Sequence, residues 1–391
     1  MSNFPLSVSI QGPRPKPLQS DVRVWNFDPK RHTSKHESAA HAYFAEELGK
    51  LKGLAFRGAY GHDDTGHNSY FLPNTTVIRK PASAGNAGSA SAKDATERAM
   101  LEDVHDLYGG VVPYAFVATK AISHPLHGRG DIRPDGWVDA LGDSIAPLTL
   151  RGYTAFTMED AVRAGGKLLE SGAVRVKATG ACGGKGQWVV RDPKQLRAAL
   201  AELDAEGCLA EGVVLEENLE QATTLSVGQV VVGGHVVSYH GTQYTTTDNS
   251  GGCAYGGSDL VAVRGDFGAL LSAGLTYHQR LGVSQACRFH ECVQRAYPEF
   301  FASRINYDVV QGLASDGSWR SGVLEQSWRI GGATSAEVAA LGAFNVDPER
   351  RVARVSSGER YGRAEVPDGA HVYFCGDDPQ VGRITRYSHL H

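Results

Sequence analysis

The glycine-rich segment after Lys177 is the first stretch of the sequence that could bind a ligand. Residues 179–187 read Thr-Gly-Ala-Cys-Gly-Gly-Lys-Gly-Gln and include Gly183, Gly184, Lys185 and Gly186. Glycines let backbone N–H groups approach an anion without interference from a Cβ atom, and Lys177 would add an ammonium group beside it. The segment is neither a Walker A loop nor a Rossmann fingerprint, because a strand follows it. A phosphate-binding hairpin and an ordinary hairpin turn both fit this pattern.

A second group of polar residues alternates along two predicted strands nearer the end of the chain. Asp308 lies in the first strand, and Glu325, Ser327 and Arg329 are spaced by two residues in the second. Period-two spacing places side chains on one face of a strand. Paired carboxylates on adjacent strands suit Mg²⁺ that is shared with nucleotide phosphates. The following Gly-Gly-Ala-Thr (331–334) could supply N–H groups to an acyl or phosphoryl oxygen. A solvated strand face with an Asp–Arg ion pair is the alternative.

The order of these features resembles that of the ATP-grasp superfamily. The lysine and its glycine-rich hairpin precede an apolar strand ending Val-Val-Leu-Glu-Glu-Asn-Leu-Glu (213–220), and another hairpin precedes the Asp…Glu-x-Ser-x-Arg-Gly-Gly pattern. The resemblance covers about residues 118–345. Within the superfamily, the sequence resembles a bacterial ATP-grasp group known only as a domain of unknown function. It implies an α/β (α+β) fold, in which a small Rossmann-like α/β domain precedes the ATP-grasp domain.

The resemblance also implies which residues bind MgATP. Residues 183–186 would form a lid, Glu216 to Leu219 a hinge against adenine, and Glu220 a contact to ribose. The nucleotide-binding residues would be Lys120, Lys177, Gly183, Gly184, Lys185, Gly186, Glu216, Glu217, Leu219 and Glu220. The metal ligands would be Asp308, Glu325 and Ser327, where family members usually have Asn in place of Ser327. This departure, and the lack of a ribose-binding Glu over residues 221–224, bear on catalysis more than on nucleotide binding.

Two arginines are candidate catalytic residues. By the resemblance, Arg329 would steady an acyl phosphate or a substrate carboxylate. Arg304, like Arg288, could contact an anionic substrate group or lie on the surface. The implied reaction is phosphorylation of a small-molecule carboxylate by ATP with Mg²⁺, followed by attack of an amine or other nucleophile. A phosphotransferase and a non-catalytic nucleotide sensor are the alternative functions. The protein could also form a homodimer.

Composition excludes several other classes of protein. The 391 residues include 39 basic and 43 acidic ones, so the net charge of −4 does not suggest a nucleic-acid or membrane-surface partner. Six cysteines without a CxxC pair are typical of reduced thiols in a cytosolic protein. We find no signal-peptide pattern and no apolar run of membrane-spanning length. The sequence therefore predicts a cytoplasmic protein.

Periodicity and caps predict the elements that position these residues. We expect a loose arm over residues 1–20, a small α/β domain over 21–117, and the two ATP-grasp subdomains over 118–212 and 213–345. A turn-rich C-terminal extension, 346–391, would pack on the ATP-grasp domain. Predicted helices include one that begins after Ser34 with a Ser34–Glu37 capping box and one over 95–108. A strand is predicted over 111–117 and a polar substrate loop or surface connection over 244–258.

Overall fold

The computed structural model describes residues 18–28, 33–61, 68–81, 100–181, 186–363 and 365–391. These residues form four β-sheets with α-helices packed against them. The mixed α/β class predicted from the sequence is confirmed.

A three-stranded parallel sheet lies nearest the N-terminus, in the order β2-β1-β3. Its elements are β1 (Asp21–Trp25), α1 (Lys35–Lys52), β2 (Ala55–Ala59) and β3 (Ser69–Pro73). The predicted capping box is confirmed, because Ser34 accepts a hydrogen bond from Glu37 N and the Glu37 carboxylate accepts one from Ser34 N. Helix α1 ends at Gly53, which adopts a φ of 68° that glycine tolerates.

Two predictions in the next segment hold only at Met100 and at residues 111–112 and are wrong beyond them. Residues 101–108 form turns and no helix, because the Asp106 carboxylate accepts hydrogen bonds from the backbone of Glu102 and Asp103; residues 95–99 lie outside the described ranges. The predicted strand over 111–117 ends at Val112, since Pro113 cannot donate to a ladder. A small sheet is formed instead by β4 (Val77–Ile78), β5 (Gly110–Val112) and β13 (Phe301–Ala302).

The lysine-bearing hairpin belongs to a four-stranded antiparallel sheet, in the order β6-β9-β7-β8. Helix α2 (Asp139–Ile145) precedes it. Its elements are β6 (Gly152–Ala155), α3 (Met158–Leu169), β7 (Val174–Ala178), β8 (Gln187–Val190), α4 (Pro193–Ala205) and β9 (Val213–Glu217). The predicted N-caps of both helices are confirmed, with Thr157 accepting from Asp160 N and Asp192 from Lys194 N. The predicted apolar stripe of α4 is buried against α3 and the sheet.

Most of the remaining chain forms an eight-stranded antiparallel sheet, in the order β15-β14-β10-β11-β12-β16-β18-β17. Its strands are β10 (Glu220–Val232), β11 (His235–Thr247), β12 (Cys253–Arg264), β14 (Arg304–Leu313), β15 (Trp319–Ser327), β16 (Val352–Tyr361), β17 (His371–Asp378) and β18 (Gly382–Leu390). Helices α5 (Phe267–Leu271) and α6 (Tyr277–Ala296) contribute to one apolar core against the sheet, and α1 and α7 (Thr334–Val346) to another.

A predicted loop and the predicted turn-rich extension both contribute strands to this sheet. Residues 244–258 are mostly the tip of the long β11–β12 hairpin, whose turn is closed by hydrogen bonds from Ser250 N and Gly252 N to the Asp248 carboxylate. The extension beyond residue 346 supplies β16, β18 and β17, which continue the sheet from β12. Within the described part of the chain, none of the helices combines the length and apolar character that crossing a bilayer requires.

Candidate active site

Two carboxylates face each other across the strands β14 and β15. Asp308 and Glu325 are direct cross-strand partners, so their side chains share one face of the sheet. Asp308 Oδ1 accepts hydrogen bonds from Asn306 Nδ2 at 3.0 Å and from Gln243 Nε2 at 2.6 Å. Burial and the neighbouring charge of Glu325 raise the pKa of Asp308 to about 7. A cation placed between the two carboxylates would relieve this repulsion.

Lys120 connects this acidic pair to the glycine-rich loop. It opens a 3₁₀ helix, Lys120–Ser123, whose first turn is capped by the Thr119 hydroxyl. The Lys120 ammonium lies 3.0 Å from Glu325 Oε2 and also donates to the carbonyl of Ala181, at the start of the loop. Its side chain is only 5% exposed. Two groups of residues that lie more than a hundred positions apart in the sequence therefore meet at one ammonium group.

The segment that carries Lys120 is fixed against β15 from the opposite face of that strand. Gln326 Nε2 donates to the carbonyls of Val117 at 3.0 Å and Thr119 at 2.5 Å. Because alternate residues of a strand face opposite ways, Gln326 can hold this segment while Glu325 reaches the ammonium of Lys120.

Lys177 lies in a second buried cluster of charges. Its ammonium is 2.5 Å from Glu216 Oε1, and His124 Nε2 is 3.1 Å from Glu216 Oε2. The side chains of Lys177 and Glu216 are 4% and 1% exposed. Burial by itself would raise the pKa of Glu216, but the Lys177 charge and the His124 hydrogen bond lower it to about 2. Glu216 is therefore ionised and neutralises Lys177 at neutral pH.

Arg304 lies in the interior, so the alternative of a surface position is wrong. Its guanidinium Nη2 is 2.7 Å from Glu337 Oε1, and Arg304 is 1% exposed. Its Nη1 donates to the Ser327 carbonyl and hydroxyl, both at 3.1 Å, and to the Arg329 carbonyl at 2.7 Å. The Tyr239 hydroxyl links this cluster to the acidic pair, being 2.5 Å from Glu337 and 3.0 Å from Asn306 Oδ1. Arg304 thus holds the backbone that follows β15.

The remaining predicted side chains lie around these clusters. Arg329 is half-buried and its Nη1 donates to the carbonyl of Ile330 at 2.9 Å. In the predicted hinge, Glu217 accepts hydrogen bonds from Arg151 N, Nε and Nη2, while Leu219 packs in a small apolar cluster. Glu220 is exposed at the start of β10. The Glu217 carboxylate is therefore hydrogen-bonded within the protein, whereas the Glu220 side chain is exposed.

Most of the predicted lid lies outside the described residues. This applies to Gly183, Gly184 and Lys185, and to Cys182. Gly186 is described, with a φ of 62° and a carbonyl that accepts from Ala178 N at 3.0 Å. The hairpin around the loop is regular, since β7 and β8 pair from Val174–Val190 to Lys177–Gln187.

The sequence pattern did not identify four polar residues of these clusters. Asn306 could have been found, because it lies two residues before Asp308 and so shares its strand face. His124, Gln243 and Glu337 reach the clusters from distant parts of the chain, and nothing in their local sequence marks them.

The acidic pair fits a magnesium ion that takes its other ligands from outside the protein. No group of three or more His, Cys, Asp or Glu side chains among the described residues could by itself hold a metal. Two carboxylates suffice for Mg²⁺, which keeps several waters and commonly binds substrate phosphates. The Ser327 hydroxyl fits less well, because it already contacts the Arg304 cation at 3.1 Å.

Comparison with known proteins assigns the chain to a family. It belongs to the family described as protein of unknown function (DUF3182), whose model matches residues 24–388. The predicted resemblance to a group known as a domain of unknown function is thereby confirmed. A search of curated proteins gave no match.

The chain is also similar to solved structures at low sequence identity. Phosphoribosylamine–glycine ligase from Thermotoga maritima is 14% identical over 95% of this chain and 91% of its own, with a TM-score of 0.49. Biotin carboxylase from Campylobacter jejuni is 9% identical over 94% and 87%, with a TM-score of 0.49. D-alanyl-alanine synthetase A from Vibrio cholerae is 12% identical over 79% and 88%, with a TM-score of 0.43.

Proposed function

We propose that the protein is an ATP-dependent ligase that activates a small-molecule carboxylate as an acyl phosphate, for attack by an amine or other nucleophile. The observation that carries this proposal is the contact of Lys120 with both Glu325 and Ala181. It brings a carboxylate pair suited to magnesium next to the loop that would cover the phosphates of ATP.

In this proposal each charged group has a separate task. Asp308 and Glu325 would hold Mg²⁺, which when bound shields the phosphate charges. Lys120 and Lys177 would contact phosphate oxygens, and their present partners Glu325 and Glu216 keep both ammonium groups compensated before nucleotide arrives. Arg329 would contact the activated carboxylate. Catalysis would rest on positioning and charge compensation, without a protein nucleophile.

The first test is nucleotide binding by the full chain. Saturating MgATP should raise the melting temperature, since a ligand at a hundred times its Kd stabilises the native state by about 2.7 kcal/mol. A melting curve that MgATP leaves unchanged at every magnesium concentration would exclude the proposed site.

The second test addresses catalysis. Glu325→Gln keeps the size of the side chain and removes one carboxylate charge, so it should abolish substrate-dependent ATP turnover while the protein stays folded. Glu299→Gln, at an exposed position, is the matched control and should keep full turnover. A ligase releases phosphate only with both co-substrates present, a phosphotransferase stops at the phosphorylated acid, and a sensor binds ATP without turnover.

A further inference from the structure

Asn306 lies beside the acidic pair, on the same face of the large sheet. It precedes Asp308 by two residues on β14 and is the cross-strand partner of Ser327, as Asp308 is of Glu325. Its amide group lies between two neighbours, with Nδ2 3.0 Å from Asp308 Oδ1 and Oδ1 3.0 Å from the Tyr239 hydroxyl. Asn306 is only 6% exposed, so these two neighbours determine which way the amide is turned.

Tyr239 reaches Asn306 across the strand that lies between them. Tyr239 on β11 is the cross-strand partner of Gly228 on β10, and Gly228 is the partner of Asn306. An added Cβ at Gly228 would lie 2.3 Å from the tyrosine ring and from its hydroxyl oxygen. The glycine therefore leaves the space through which the hydroxyl group of Tyr239 reaches the amide of Asn306.

The Tyr239 hydroxyl has one proton and two neighbours that can only accept it. These are Glu337 Oε1 at 2.5 Å and Asn306 Oδ1 at 3.0 Å. The Glu337 carboxylate is the stronger acceptor, since it is ionised and paired with Arg304 at 2.7 Å. When the proton is donated to Glu337, the amide oxygen of Asn306 faces a lone pair of the hydroxyl. A buried acceptor without a donor is unfavourable, so this orientation of the amide is not its best one.

A half-turn of the amide removes that conflict and creates a demand for a cation. The turn exchanges nitrogen and oxygen and leaves the shape of the side chain unchanged. Nδ2 would then donate to the Tyr239 oxygen, and the Asn306 oxygen would face Asp308. Two such oxygens repel each other unless a cation binds both. Adjacent ligands of Mg²⁺, at bond lengths of about 2.1 Å, are about 3.0 Å apart, which is the observed distance between the amide and Asp308 Oδ1.

An ion can reach this position from solvent. The Glu325 side chain is 33% exposed, and Asp308 is half-buried. Gln243 keeps the Asp308 carboxylate in place whichever way the amide of Asn306 is turned, because its Nε2 donates to Asp308 Oδ1 at 2.6 Å and to Ser226 Oγ at 2.9 Å. The ion would therefore meet the two carboxylates first and the amide behind them.

We propose that Asn306 is a third protein ligand of the magnesium ion, through its side-chain oxygen, and that Tyr239 positions it by accepting a hydrogen bond from Nδ2. This inference rests on the proposed function, which requires the ion. Without metal the amide N–H donates to Asp308, and with metal it donates to Tyr239. The protein then supplies two carboxylates and one amide oxygen, and nucleotide and water supply the other ligands.

The test replaces Mg²⁺ by Mn²⁺, which also prefers oxygen ligands and is paramagnetic. The full chain is labelled with ¹³C at the side-chain carbonyl of asparagine and saturated with Mn²⁺ and ADP. Pulsed electron–nuclear double resonance should then detect the ¹³C coupling of a directly bound carbonyl. This measurement reports ligation without turnover or a known substrate, and in the wild-type protein it does not depend on the folding of any variant.

Variants assign the coupling to Asn306. Asn306→Leu should remove it and weaken Mn²⁺ binding about tenfold or more, measured from the electron paramagnetic resonance signal of free Mn²⁺. Asn345→Leu, at an exposed position, is the matched control and should keep both the coupling and the affinity. Asn306→Asp retains a ligand oxygen, so it should bind Mn²⁺ without any coupling to labelled asparagine, and it replaces the leucine variant if that does not fold.

A pair of tyrosine variants tests the positioning role. The hydroxyls of Tyr239 and Tyr108 both donate to Glu337, but that of Tyr239 also contacts Asn306. Tyr239→Phe should weaken Mn²⁺ binding about tenfold, whereas Tyr108→Phe should leave it unchanged. Equal weakening by the two variants would show a general effect on the buried network and would refute the role of Tyr239.

The outcomes separate this inference from the proposed function. If Mn²⁺ binds with ADP but no ¹³C coupling is seen, or if Asn306→Leu binds Mn²⁺ as tightly as the wild type, Asn306 is not a ligand and the two-carboxylate site stands. If the wild-type protein binds neither Mn²⁺ nor ADP, the proposed function fails and this inference fails with it.

Discussion

Replacement of Glu216 by Gln is a sharp test of the buried charge cluster. The substitution keeps the shape of the side chain but removes the charge that compensates Lys177. Both partners are nearly inaccessible to solvent, so water cannot replace the lost carboxylate. We expect a less stable free protein, and we expect MgATP to recover part of the loss if phosphate oxygens reach Lys177.

The magnitude follows from the pKa of Glu216. Folding lowers it from 4.5 to about 2, and each pKa unit corresponds to about 1.4 kcal/mol, which gives about 3 kcal/mol. Loss of one partner of a buried ion pair typically costs 3–5 kcal/mol, in agreement with this value. At about 2.1 cal/mol/K of unfolding entropy per residue, 3 kcal/mol lowers the melting temperature of a 391-residue chain by about 4 °C.

The sign of the pH dependence gives a second readout. Because the pKa of Glu216 is depressed in the folded state, its stabilisation is fully present above pH 4.5 and is lost as pH falls towards 2. The difference in unfolding free energy between wild type and Glu216→Gln should therefore shrink as the pH is lowered through this window.

The assay is urea unfolding followed by tryptophan fluorescence, at pH 7 and at steps down to the lowest pH at which both proteins fold. Glu170→Gln is the matched control, because Glu170 pairs with Lys167 at 2.6 Å on the surface, where such a pair contributes little to stability. A Glu216 variant as stable as this control at pH 7 would refute the assignment of Glu216 as the compensating charge.

Three further predictions concern other contacts of the site. Asp308→Asn should stabilise the EDTA-treated protein above pH 7 and not below pH 4, because the raised pKa of Asp308 means that ionising its carboxyl group destabilises the fold. The same variant should not bind MgATP. Melting temperatures of variant and wild type that change with pH in the same way would contradict the first expectation. Glu337→Gln should destabilise the fold by about 3 kcal/mol, as it leaves the buried Arg304 uncompensated, and a joint Arg304→Met/Glu337→Leu variant should recover most of the loss in urea unfolding. Asn249→Ala should cost about 1 kcal/mol and speed hydrogen exchange in the β17–β18 hairpin, whereas unchanged exchange would show that the tip contact is unimportant.

Local chemistry explains which elements the sequence predicted correctly. Ser34 with Glu37, Thr157 with Asp160, and Asp192 before Pro193 are signals contained within four residues, and all three helices begin where these signals place them. The placement of Asp308 and Glu325 on neighbouring strands was likewise predictable. The predicted alternation of Glu325, Ser327 and Arg329 along one strand holds only as far as Ser327, where β15 ends.

Elements that depend on distant partners were not predictable in this way. The tail beyond residue 346 looks turn-rich by composition, yet β16 is ordered by pairing with β12, almost a hundred residues earlier in the chain. Residues 101–108 have a helix-like pattern, but the Asp106 carboxylate accepts hydrogen bonds from the backbone N–H groups of Glu102 and Asp103 and so competes with a helix. His124 could not be recognised, since only the folded chain brings it to Glu216.

The strand order of the large sheet has a consequence for how the protein is made. Strand β18, which follows β17 in the sequence, lies between β16 and β17 and is the only described strand that pairs with β17. A ribosome-bound chain can complete the sheet from β15 to β12, but β17 lacks its partner strand until residues 382–390 have left the exit tunnel. Until then β16 presents an open edge. A variant that lacks residues 382–390 would leave that edge exposed, and it would be prone to pair with other chains.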